Sequence, residues 1–118
     1  MGLVELYEKE RLRIAETADG RGDYSHPVFG EGPVNPLVML IGEAPGGDEA
    51  KQGRPFVGKA GKQLDALLSG AGIDRSRVYI TNTVKFRPVN VKPKSVSNRT
   101  PTGAELKAGL PLLKNEPC

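Results

Sequence analysis

The sequence predicts an α/β fold built on a short parallel sheet, and three observations predict it. A continuous apolar run, Leu37-Val38-Met39-Leu40-Ile41, ends in Gly42. A second short run, Val78-Tyr79-Ile80-Thr81, ends in Asn82. Each is followed by a loop and then by residues at helical spacing. Strand, loop, helix, strand, loop, helix is the order that packs helices on a parallel sheet. The 118 residues suit one domain, 1–118.

Taken in order, residues 3–16 carry Leu3, Leu6, Leu12 and Ile14 with charges between them, the pattern of an amphipathic helix. Residues 18–36 are rich in Gly, Asp and Pro and read as loop. Leu37–Ile41, flanked by Pro36 and Gly42, is the best buried parallel strand. A glycine-rich loop runs to about Gly58. Residues 59–71 then place Leu64, Leu67, Leu68 and Ala71 on one helical face, and Gly72 stops the helix. Val78–Thr81 is the second strand. Residues 85–100 read as a Pro-rich basic loop. Thr102 and Glu105 form a capping box that opens a helix carrying Leu106, Leu110 and Leu113. Two strands are too few for a covered sheet, and the chain stops after a helix where another strand is due. The expectation is a fold truncated at the C-terminus or paired with something else.

Composition narrows the function. Hydrophobic residues make up 37% and charged residues 26%, there is no Trp, and no apolar run reaches the roughly 20 residues of a membrane span. The acidic, amphipathic N-terminus is unlike a signal peptide. The single cysteine, Cys118, excludes a disulfide framework and any cysteine-held cluster within one chain. The expected setting is cytoplasmic, with no membrane, no metal and no cofactor, and nothing identifies a protein partner. The net charge of +3 is unevenly spread. From Arg75 to Ala104 there are seven basic residues and no acidic one, while the rest of the chain carries a net −4. Such a block is either a solvated loop or a contact for a polyanion.

Several motifs carry chemistry. Gly53-Arg54-Pro55-Phe56-Val57-Gly58-Lys59 fits the first seven positions of a phosphate-binding loop, but Ala60 lacks the hydroxyl for magnesium and the loop does not spring from a strand. A nucleotide-binding module is therefore a third, weaker reading. Gly42-Glu43-Ala44-Pro45-Gly46 bends sharply off the first strand and holds Glu43 at the mouth of the sheet, where ligands bind in such folds; the plain alternative is a surface carboxylate on a turn. Asn82 ends the second strand, as a turn residue or as an amide able to read a base edge. His26, the only histidine, reads as solvent-exposed.

Together these segments, with Thr81-Asn82-Thr83-Val84-Lys85-Phe86-Arg87-Pro88 and Asn98-Arg99-Thr100-Pro101-Thr102, resemble the uracil-DNA glycosylase superfamily, closest to its family 4 type. The resemblance runs from about Val28 to Leu113. It implies a three-layer α/β/α fold and hydrolysis of the bond between a flipped uracil and its sugar in DNA. It implies catalytic carboxylates at Glu43 and Glu49. It implies a uracil pocket of Gly42, Ala44, Phe56 and Asn82, with Phe56 stacking on the base and Asn82 pairing with its edge. It implies DNA contacts by Lys85, Arg87, Lys92, Lys94, Asn98 and Arg99. This fits the chemistry: an oxocarbenium-like sugar favours a nearby carboxylate, a flipped base wants a flat apolar face, and phosphates want cations.

The chain departs from that family in three ways. Family 4 members typically carry an iron–sulfur cluster on four cysteines, whereas here Phe86 and Gly109 occupy two of those positions and no cysteine pair lies around residues 14–17. The segment 89–97 is longer than the family's tight turn. The late His-Pro motif that binds the uracil anion has no counterpart. The first reading is a clusterless, truncated uracil-DNA glycosylase domain, and the alternative is a non-catalytic nucleic-acid-binding remnant.

Overall fold

A computed structural model describes residues 2–17, 19–36 and 38–116. The elements in chain order are α1 (Leu3–Thr17), β1 (Gly22–Asp23), β2 (Val38–Gly42), α2 (Gly47–Gln52), α3 (Lys59–Gly70), a 3₁₀ turn (Arg75–Arg77), β3 (Val78–Asn82), β4 (Arg87–Lys92), β5 (Ser95–Asn98) and α4 (Gly103–Leu113). The start of the first expected strand, Leu37, and the lone Cys118 lie outside the described residues. No helix among them is long and apolar enough to cross a membrane.

β2 and β3 pair in parallel, from Val38 opposite Val78 to Gly42 opposite Asn82. The two strand ends that carry the motifs are therefore neighbours. Alternation along β3 assigns its faces. Val78 and Ile80 pack with Leu68 of α3, backed by Leu40, Phe56 and Leu64. Tyr79 and Thr81 turn to the other face, where the Tyr79 hydroxyl meets that of Tyr7 on α1. Helices thus cover β3 on both faces, and every residue of the strand is buried. This is the three-layer arrangement on a short parallel sheet that the sequence predicts, but β2 is not the buried strand expected. Val38 and Ile41 are exposed, because among the described residues only β3 pairs with β2, and the buried strand is β3.

The second core joins Ile14 of α1 to Val84 and Phe86, with Tyr24, Ala44 and Leu106 against them. Helical spacing overstated the apolar stripes, since Leu12 and Leu67 are exposed. Gly72, at φ +71°, ends α3 in the left-handed conformation that glycine adopts freely. Thr102 caps α4 as expected, its hydroxyl accepting the Glu105 N–H.

Two stretches differ from the expectation of loop. In residues 19–36, Gly22–Asp23 forms the short strand β1, Val28 donates to the Lys85 carbonyl, and Glu31 bridges β3 by exchanging two backbone hydrogen bonds with Ile80 at 2.8 and 2.9 Å. Residues 85–100 contain an antiparallel hairpin, β4–β5, with β1 added at its root. Its strand signal is the set Val89, Val91 and Val96. The two-residue turn is Pro93-Lys94 rather than an Asn-Gly or Asp-Gly pair, so proline density masks it.

Candidate functional site

Gly42 is the meeting point of the site. A methyl group there would collide with Asn82 Oδ1 and lie 2.7 Å from Phe56 Cζ. Only a residue without a side chain lets the carboxamide and the ring close over the end of β2. Phe56, Asn82, Ala44, Glu49 and Ala60 line a cavity of about 70 Å³. Asn82 is 3% exposed, with its carboxamide oxygen against the backbone of Gly42. The structure brings together the four residues expected to hold a base: Gly42, Ala44, Phe56 and Asn82.

Phe56 is held in an unusual backbone state. It is the only non-glycine described residue with positive φ, +52°, a conformation that is costly for a bulky side chain and recurs at functional sites. Three features hold it. Arg75 donates to the Pro55 and Phe56 carbonyls at 2.7 and 2.8 Å and to Asp65 at 2.8 Å. A side chain at Gly61 would collide with the Phe56 carbonyl. Glu49 accepts backbone N–H bonds from Gly46 at 3.0 Å, Val57 at 3.0 Å and Gly58 at 2.7 Å. Sequence reasoning missed the roles of Arg75 and Gly61. Arg75 was one of the basic block, and its ion pair with Asp65, ten residues earlier, is visible only in three dimensions.

The two expected carboxylates have different settings. Burial pushes the Glu49 carboxyl up, but the backbone N–H groups of Gly58, Gly46 and Val57 outweigh it and hold it below the usual range. Its hydrogen bonds go to the backbone of the loops it joins, and it also lines the cavity of Phe56 and Asn82. Glu43 is exposed and forms no ion pair among the described residues. It lines an open cleft of about 360 Å³ with Ala44, Gly46, Asn98 and Arg99, beside the base cavity.

The cationic block divides. Lys85, expected on DNA, is 1% exposed. Its ammonium pairs with Glu116 and donates to Thr81 Oγ1 at 2.9 Å and to the Asn82 carbonyl. It lies beneath the end of β3 and in this arrangement cannot reach a phosphate. Burial pushes the Lys85 ammonium down, opposed by Glu116. Arg99 is also largely committed, clamped to Glu105 at 2.6 and 2.8 Å and to the Arg21 carbonyl at 2.8 Å. Asn98 accepts from Arg87 Nε at 2.6 Å. Those two residues line a second cleft with His26, Gly47 and Lys51. His26 is exposed and contacts Asp23 at 3.0 Å. Lys92 and Lys94 are exposed on the hairpin.

The residues that stand where family 4 holds its cluster do not fit one. Ile14 and Phe86 are apolar, buried and packed on each other's neighbours. A side chain at Gly109 would collide with the Thr83 carbonyl. Among the described residues this region offers no thiolate, and Ile14, Val84 and Phe86 fill it.

The chain resembles known proteins along most of its length. The family profile described as the Uracil DNA glycosylase superfamily matches residues 29–117. A Type-4 uracil-DNA glycosylase of Pyrobaculum aerophilum is 50% identical over 86 residues, 73% of this chain and 40% of that protein. One of Thermotoga maritima is 49% identical over 103 residues, 87% of this chain and 50% of that protein. One of Sulfurisphaera tokodaii is 43% identical over 93 residues, 78% of this chain and 39% of that protein. The chain therefore spans between two fifths and half the length of these curated relatives. With a three-layer fold, a cavity lined by Phe56 and Asn82 at the paired strand ends and these matches, the chain belongs to the uracil-DNA glycosylase superfamily.

Proposed function

We infer that the chain carries the base-recognition part of a base-excision repair enzyme that hydrolyses the N-glycosidic bond of uracil flipped out of DNA. The observation that carries this reading is the closure of Phe56 and Asn82 over the cavity at Gly42. A flipped base needs a flat face to stack on and an edge to pair with. Phe56 offers the face. The Asn82 amide donates to O4 and accepts from N3–H of uracil, whereas cytosine reverses both groups. Glu43, in the adjoining cleft, is placed to favour the cationic sugar or to orient the attacking water. Arg87, Lys92 and Lys94 supply cations for the backbone of uracil-containing DNA, and a DNA substrate agrees with a cytoplasmic setting.

One observation favours a second, non-catalytic reading. Among the described residues no cation lines the base cavity to receive the departing uracil anion. Loss of one such donor typically costs about 10²–10³ in rate. The test is excision from single- and double-stranded oligonucleotides with one uracil, followed by alkali to cut abasic sites. Slow but uracil-specific cleavage by this chain, raised by about that factor on adding the remaining length of a relative, supports the enzyme reading. Uracil-selective binding without cleavage in either form supports the remnant. No uracil preference in either binding or cleavage refutes both.

A further inference from the structure

The β4–β5 hairpin stands at the rim of the site, and its features are not used by base recognition. Directly opposed residues of an antiparallel pair share a face, as do alternate residues of one strand. In the observed register, Val91 faces Val96 and Val89 faces Asn98. One face therefore carries Arg87, Val89, Val91, Val96 and Asn98. Its root residues Arg87 and Asn98 are bonded to each other and line the cleft beside Gly47. Further out, Val91 and Val96 form an apolar pair that is 64% and 52% exposed. Lys92 and Lys94 stand at the tip. The root is fixed, because Arg99 ties Val89, Arg21 and Glu105 together.

We propose that the hairpin is a duplex-reading ribbon that enters the major groove of the DNA arm beside the flipped uracil. This rests on the uracil-DNA reading above. A two-stranded ribbon fits the roughly 12 Å width of that groove, and apolar side chains contact thymine methyls there. The valine pair would meet base edges while Lys92 and Lys94 meet the phosphates on either side. The stretch from Arg75 to Ala104 holds no acidic residue, so no carboxylate within it opposes the approach of a polyanion. From Arg87 to Val91 the strand advances about 13 Å at ~3.3 Å per residue. At ~3.4 Å per base pair that reach covers about four pairs beyond the cleft. The ribbon would make the protein prefer double-stranded over single-stranded substrate.

The experiment compares the wild-type chain with V91S/V96S and K92S/K94S, all exposed positions, with circular dichroism confirming the fold of each. Binding to matched duplex and single strands, with uracil or thymine at one position, is followed by fluorescence anisotropy, and hydroxyl-radical footprints are taken on the duplexes. V91S/V96S is expected to lose roughly 5- to 30-fold in duplex affinity, with single-strand binding and the salt slope unchanged. K92S/K94S is expected to shallow the log–log salt slope by up to about 2. Either variant should shorten the footprint by about four base pairs on one side. An unchanged duplex affinity and footprint in V91S/V96S overturns the proposal, as does an equal loss on single strands. A failure of the uracil reading looks different: equal binding of uracil and thymine duplexes, with the variant effects intact.

Discussion

Replacing Glu49 by Ala separates a positioning carboxylate from a catalytic one. One oxygen holds Gly46 in the loop after β2, and the other holds Val57 and Gly58 in the loop that carries Phe56. The variant leaves three backbone donors without their charged acceptor. Hydrogen bonds to charged groups contribute about 1.5–3 kcal/mol each, but these donors are half-buried and water can replace part of the loss. Taking about 1 kcal/mol for each gives a destabilisation of about 3 kcal/mol. For a domain whose whole stability is about 5–15 kcal/mol that is a large share. At about 1–3 kcal/mol per molar urea, the unfolding midpoint should fall by about 1–3 M. Glu49→Gln keeps one oxygen and should fall between the two. The assay is urea unfolding followed by circular dichroism, beside uracil binding under native conditions. The loss should also shrink with pH. Glu49 is held below its usual range, so its contribution is full above pH 4.5 and fades as the pH falls below that value. An unchanged midpoint in Glu49→Ala, with uracil excision abolished, would refute the positioning role and return Glu49 to the chemistry.

Three further outcomes follow from the same geometry. Gly42→Ala should abolish uracil recognition, because the added methyl meets both Asn82 and Phe56, at a cost in stability of about 1–3 kcal/mol; full binding with normal stability would show that the ring and amide do not close on this glycine. Asn82→Asp should lose most uracil excision and gain relative tolerance for cytosine, since an ionised carboxylate accepts but cannot donate to O4; near-normal excision on matched substrates would make Asn82 a turn residue. The hydrogen bond from Arg99 holds the Glu105 carboxyl at about 2, helped by the Thr102 N–H. A depressed carboxyl stabilises the fold above its ordinary 4.5 and loses that contribution as pH falls toward 2. Glu105→Gln should therefore flatten the acid limb of the thermal stability profile between those values, and an unaltered limb would contradict the pairing.

The sequence made the strand ends legible because apolar runs bounded by Gly42 and Asn82 are a local signal, and so is the Thr102–Glu105 cap. The parallel pairing then placed Gly42 opposite Asn82, as the shared grammar of such sheets requires. Charge was the poorer guide. Lys85, Arg75 and Arg99 look alike with Lys92 and Lys94 in one dimension. Their burial depends on partners far along the chain: Glu116 for Lys85 and the Phe56 carbonyl for Arg75. Glu49 is the same lesson in reverse, a carboxylate whose neighbours in space are backbone donors. The hairpin was hidden because its turn is proline-led and its valines are few.

The central claim is that the cavity of Gly42, Phe56 and Asn82 selects uracil by its edge. It is tested most directly by an ¹⁵N-edited NMR titration of the chain with free uracil and with cytosine. The Asn82 side-chain NH₂ pair is assigned by its disappearance in Asn82→Asp. The account predicts a saturable shift of that pair with uracil, accompanied by ring-current changes from Phe56, and no saturable shift with cytosine. Equal shifts with both bases, or no shift of the Asn82 amide at any uracil concentration, would contradict it.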